Sequence, residues 1–260
     1  MIDLGLSGRA VLVTGGSRGI GRAIAERLAA EGCELVLAAR DGDALEAAAG
    51  ELRAAHGVGV TTFAADLAEP SSLGGLIDAC EIAGVGDVVC NAGAAPGGDF
   101  LDLSDEQWSN SFALKFFGHV RILRALWPRL VKARGAAVLI AGAAAMEPSP
   151  GFMIGGAINA AMANFAMALA QRGTAQGVRV SVIHPGPVAT ERVLGNLRAV
   201  AQKDGRALED VVAERAKQLG MRAMTTPQDV ANLASALLSP AFAQLHGSVH
   251  AIHGGQVRAL

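Results

Sequence analysis

Short β-branched runs alternate along the chain with alanine-rich stretches whose apolar residues return every three or four positions. The runs predict strands at Ala10–Thr14, Glu34–Ala38, Gly59–Ala64, Asp87–Cys90, Ala136–Ala141, Val178–His184 and Ser248–Ile252. The stretches between them predict helices over about Ile20–Ala30, Gly42–His56, Ser72–Ile82, Asp105–Lys132, Gly156–Gln171 and Pro227–Leu238. Strands alternating with helices imply repeated βαβ units, and so an α/β fold with a doubly wound parallel sheet and helices on both faces. Ser104 with Gln107, and Thr226 with Asp229, fit the capping pattern that satisfies first-turn amides, and Pro227 stands where a missing amide does no harm.

No Pro/Ser-rich linker or repeat divides the chain, so residues 1–260 read as a single domain. Residues 191–224 differ from the rest: they are charged, weakly helical and inserted between a strand and the next core helix. Such an insertion lies beyond the carboxyl ends of the strands, where ligands bind, so it is either a substrate lid or a solvated helical excursion.

Composition narrows the partners. With 51% hydrophobic residues, 33 glycines and 18% charged residues in 260, the chain reads as globular. A formal charge of -2 gives no electrostatic reason to expect nucleic acid or an anionic membrane, which leaves a small molecule as the expected partner. The start MIDLGLSGRA has no apolar run that would make a signal peptide, so a cytoplasmic location is expected. The most apolar stretch, Ala136 to Met146, is shorter than the ~18–20 residues that cross a bilayer. Cys33, Cys80 and Cys90 lack the spacing of a zinc or redox motif and read as reduced core residues. His250 and His253 point to opposite faces of a strand, so no metal site is expected there.

The segment Ala10 to Gly21, AVLVTGGSRGIG, sets an apolar strand, a glycine turn and a helix start in succession. Glycines at 15, 19 and 21 let the backbone turn tightly and approach a pyrophosphate, while helix amides face its charge. Gly15, Ser17, Arg18, Gly19, Ile20 and Gly21 are therefore expected dinucleotide contacts in a Rossmann-type domain. About twenty residues on, where an acid would take the ribose hydroxyls of NAD, stands Arg40. Arg18 and Arg40 together offer two cations to a 2′-phosphate, so NADP(H) is expected over NAD(H) unless both are ordinary surface arginines, with Asp41 next door.

From about Leu6 to Gly255 the chain resembles the short-chain dehydrogenase/reductase family. Thr14 to Gly21 matches the family's T-G-x-x-x-G-x-G motif; Asp66 and Leu67 match its adenine-contacting acid and neighbour; Asn91, Ala92 and Gly93 form its N-A-G motif. Pro185, Gly186 and Thr190 resemble its P-G segment and the threonine that meets the nicotinamide amide. The resemblance implies nicotinamide-dependent oxidoreduction of a small carbonyl or alcohol, in a homo-oligomer, a tetramer or dimer. The apolar helix Asn159 to Gln171 agrees with subunit association.

The resemblance also implies an active site of asparagine, serine, tyrosine and lysine. Those positions fall on Lys115, Gly142, Gly155 and Asn159, and the chain has no tyrosine at all. Lysine and asparagine are exchanged between two positions, so Lys115 is the expected proton donor or acceptor and Asn159 the expected ribose contact. A lysine that merely reaches solvent is the alternative. His119, four residues on, shares its helix face and is a weaker candidate, while His184 receives no role. Gly142 and Gly155 remove bulk, so Phe116, Phe117, Phe152 and Met153 line an enlarged space for a bulky or apolar substrate, or else form core or subunit contacts. Two other activities stay open: a non-redox lyase or isomerase using Lys115, and a non-catalytic nucleotide-binding subunit or sensor.

Overall fold

In the computed structural model, which describes residues 2–257, strand residues alternate between two separate cores. Leu12, Val88, Leu139 and Val182 face one; Val11, Val13, Val89, Val138 and Ile183 face the other. Period-two alternation with both faces apolar is what a parallel sheet covered on both sides requires. The strands are β1 (Ala10–Thr14), β2 (Glu34–Ala39), β3 (Val60–Ala64), β4 (Asp87–Cys90), β5 (Ala136–Ile140), β6 (Arg179–Pro185) and β7 (Ser248–Ile252). They form one parallel sheet in the order β3-β2-β1-β4-β5-β6-β7. Because β1 pairs with β2 on one side and β4 on the other, the winding reverses there, and a crevice opens at the carboxyl ends of both strands.

Helices α1 (Gly19–Ala30) and α2 (Gly42–His56) cover one face with α9 (Pro227–Leu238). On the other lie α3 (Leu73–Ile82), α4 (Asp105–Phe112), α5 (Gly118–Ala133) and α6 (Met153–Gln176). The insertion at 191–224 forms two helices, α7 (Glu191–Asp204) and α8 (Leu208–Gln218), around a small cluster of Ala216, Met221 and Met224. Both expected capping boxes are formed, at Ser104/Gln107 and Thr226/Asp229. All three cysteines are buried, and burial raises each thiol pKa.

Several sequence readings need correction. The stretch expected as one helix from Asp105 is interrupted by a π turn at Ala113–Phe117, which carries Lys115. Helix α6 begins at Met153, three residues earlier than expected, and ends at Gln176, capped by the left-handed Gly177. It buries one face, through Ile154, Ile158, Met162, Ala166 and Ala170, and leaves Ala157, Ala160, Asn164 and Ala168 exposed. With its preceding 3-10 turn, Pro150–Gln176 is long and apolar enough to cross a bilayer by length and composition, a segment that the sequence reading did not single out. One face of it packs on the sheet, and that buried face carries a polar residue, Asn159.

Candidate active site

The glycine turn after β1 is built around Thr14. Its buried hydroxyl accepts from the amides of Asn91 at 2.9 Å and Ala92 at 3.0 Å, and lies 3.1 Å from His119 Nε2. Asn91 sends its side-chain amide back to the Thr14 carbonyl at 2.9 Å, so it braces the loop. Gly15 has a φ of +72°, which favours glycine. A Cβ on Gly21 would stand 2.1 Å from the Gly15 carbonyl oxygen and 2.5 Å from Asn91 Nδ2, so the helix start fits against the turn only without a side chain. This cradle of free amides at the start of α1 fits a pyrophosphate.

Around the cradle stand groups with unused capacity. Arg18 and Arg40 are exposed, and among the described residues neither makes an ion pair. Asp41 is occupied as the N-cap of α2, accepting from Ala44 N at 3.0 Å, so its carboxylate serves the helix. Asp66 accepts from Ala68 N at 2.9 Å in the turn after β3, followed by buried Leu67. Thr190, after Pro185 and Gly186, places its methyl 3.5 Å from where a Cβ on Gly19 would be. Its hydroxyl makes no capping bond to α7 and remains available.

Lys115 and Asn159 meet. The lysine stem runs from the π turn so close to Gly93 that a Cβ there would stand 2.6 Å from Lys115 Cδ. Its ammonium donates to Asn159 Oδ1 at 2.7 Å and to the Ala141 carbonyl, just beyond β5, at 3.0 Å. Two of three N–H groups are thus engaged, and no carboxylate among the described residues pairs with it. Burial of this unpaired charge lowers its pKa from 10.5 to about 8. The residue keeps partial surface access.

His119 is not a second proton donor. Its Nδ1–H donates to the Lys115 carbonyl at 2.7 Å, which leaves Nε2 to accept from Thr14, and burial lowers its pKa to about 4. It is a neutral strut between the glycine turn and the π turn. His184, unassigned from sequence, is buried at the end of β6, where Nδ1 accepts from Gly142 N at 3.1 Å; burial lowers its pKa and keeps it neutral. Strand alternation was the available signal, since Val180 and Val182 face the α6 side and so must His184.

The expected enlarged space is filled. A Cβ on Gly155 would lie 2.0 Å from Phe152 Cε1, so the Phe152 ring occupies the room left by the missing side chain. At Gly142 the Asn159 amide does the same, with Nδ2 2.5 Å from a Cβ position. Phe116 does not line this space either: it makes edge contacts with Phe112, Phe117 and Phe165, while Phe117 is exposed beneath the Arg121 guanidinium. Met153 lies at the surface as α6 begins.

Comparison with known proteins gives a consistent picture. Residues 9–200 match the family model described as short chain dehydrogenase. The 1-deoxy-11-beta-hydroxypentalenate dehydrogenase of Streptomyces exfoliatus is 40% identical over 202 residues, 73% of this chain and 71% of that protein. L-Sorbose reductase from Gluconobacter frateurii, solved with NADPH and L-sorbose, has a TM-score of 0.94 at 29% identity, covering 100% of both chains. An NADPH-bound short chain oxidoreductase from Pseudomonas aeruginosa PAO1, described as containing an atypical catalytic center, has a TM-score of 0.89 at 29% identity, over 97% of this chain and 98% of that one.

Proposed function

The chain belongs to the short chain dehydrogenase family and is an NAD(P)-dependent oxidoreductase, and within that family we propose that it is an NADPH-preferring reductase of small carbonyl compounds whose proton donor is Lys115. The observation that carries this reading is the Lys115 ammonium, bonded at 2.7 Å to Asn159, unpaired by any carboxylate among the described residues and lowered to a pKa of about 8. The lysine stem passes Gly93, after β4, and the ammonium reaches Ala141, just beyond β5. The tyrosine and serine implied by the family resemblance are replaced by glycines, so no hydroxyl at those positions competes for the role.

When bound, NADPH supplies a hydride to the carbonyl carbon and leaves as NADP+. Lys115 gives a proton to the carbonyl oxygen, and a proton from solvent restores the ammonium. A general acid with a pKa near the working pH is the efficient case, worth about 10²–10⁴ in rate. The Phe152 ring fills the room where Gly155 has no side chain and gives that wall an apolar side. Asn159 Oδ1 and the Ala141 carbonyl hold the ammonium in place.

The preference for NADPH rests on Arg18 and Arg40, both exposed and without an ion pair among the described residues, and on the engagement of Asp41 in its helix cap. NADPH in the two structural relatives agrees with it. Helices α7 and α8 serve as a substrate lid, and the exposed small residues of α6 provide a face for a second subunit in a homo-oligomer. The test is NADPH oxidation by the purified protein across a panel of aldehydes and ketones. Turnover should fall at least a hundredfold in Lys115→Met, with NADPH affinity held within threefold. Equal turnover in that variant removes Lys115 from the chemistry.

A further inference from the structure

The Asn159 carboxamide has a second polar end, Nδ2. An ammonium can only donate, so Lys115 fixes Oδ1 toward itself and turns Nδ2 the opposite way. There Nδ2 comes within 2.5 Å of the point where a side chain on Gly142 would begin. Among the described residues no group accepts from it, and although Asn159 as a whole is only 3% exposed, the nitrogen itself is not sealed from solvent. A donor held in one direction, reachable from solvent and without a protein acceptor, is open to an incoming oxygen.

We propose that Asn159 Nδ2 is the donor that receives the oxygen of the reacting carbonyl, beside the Lys115 ammonium. The assignment rests on the reductase reading above. It replaces the ribose contact expected of Asn159 from sequence, because the amide is turned toward residue 142 and the end of β5. The group is held in place before substrate arrives: its Oδ1 is tied to Lys115, and Lys115 is tied to Ala141. A fixed N–H aimed at an oxygen that gains negative charge lowers the barrier without reorganisation. The assignment also explains Gly142. Its φ of 164° is extended backbone open to any residue, so what excludes a side chain is the amide itself.

That steric dependence gives the test a sign reversal. In the full-length protein, Asn159→Ala should lower kcat by about 10²–10³, the usual effect of removing one oxyanion donor, for whichever aldehyde or ketone of the panel is reduced fastest. NADPH affinity measured by calorimetry should stay within threefold, which also shows that the variant folds. Gly142→Ser alone should lower kcat, since its Cβ displaces the amide. Combined with Asn159→Ala it should raise kcat at least tenfold over Asn159→Ala, because a hydroxyl now occupies the vacated place.

A tenfold or greater weakening of NADPH binding in Asn159→Ala would give the residue to the cofactor and overturn the proposal. A double variant no faster than Asn159→Ala overturns it as well. If the unmutated protein reduces carbonyls and Asn159→Ala is as fast, only this assignment fails. If the unmutated protein reduces none of the panel, the reductase reading fails and takes the assignment with it.

Discussion

Replacing Lys115 by methionine keeps the length and apolar stem of the side chain while removing the buried charge. Burial lowers the ammonium pKa from 10.5 to about 8, a difference worth about 3 kcal/mol at roughly 1.4 kcal/mol per pH unit. Because the folded pKa is below the unfolded one, the penalty is present in full below pH 8, where both states are protonated. It falls away between pH 8 and 10.5, where the unfolded chain holds a proton that the folded one has released. Methionine also deprives Ala141 O and Asn159 Oδ1 of a donor, at about 1 kcal/mol each, but that loss does not change with pH. The stability of the unmutated protein relative to Lys115→Met should therefore rise by roughly 2–3 kcal/mol from pH 7 to pH 10. Urea unfolding of both proteins without cofactor, at one protein concentration, measures it. A difference flat to within about 0.5 kcal/mol would refute the burial of an unpaired ammonium.

Arg40→Ala and Arg18→Ala should each weaken NADPH binding about 10–100-fold while changing NADH affinity less than twofold, since a charge-assisted bond to the 2′-phosphate is worth ~1.5–3 kcal/mol; titration with both cofactors checks this. Gly155→Tyr should destabilise the protein by about 1–3 kcal/mol, because its Cβ meets the Phe152 ring. Adding Phe152→Ala should recover most of that loss in a urea melt, and a single variant as stable as the parent would mean that the ring does not fill this space.

The strands were legible because Val11 to Val13, Val88 to Cys90 and Ala137 to Ile140 are apolar on both faces and bounded by glycine or polar turns. The glycine turn was legible because Gly15 and Gly21 answer a backbone requirement that leaves few alternatives. Helix ends were harder to place. Met153 starts α6 without a capping side chain, so no polar residue announced it. The π turn at 113–117 has the same apolar spacing as an α-helix and left no trace in the pattern.

Within the site, the pairing of Lys115 with Asn159 followed from two exchanged residue types. What filled the spaces at Gly142 and Gly155 did not, because an absent side chain does not say which neighbour moves in. Phe152, one helical turn before Gly155, was within reach, but its backbone lies outside helical geometry and its ring direction depends on that. The inward role of Asn91 was likewise invisible, since a motif gives residue types and not which way an amide points.

The most direct test of Lys115 as the proton donor is the pH dependence of kcat/KM for carbonyl reduction with NADPH. Reduction needs the ammonium, so the rate should be level below the lysine pKa of about 8 and fall tenfold per pH unit above it, while oxidation of the matching alcohol should rise through the same range. A reduction profile that stays level to pH 10, or one whose falling limb persists unchanged in Lys115→Met, would contradict the account.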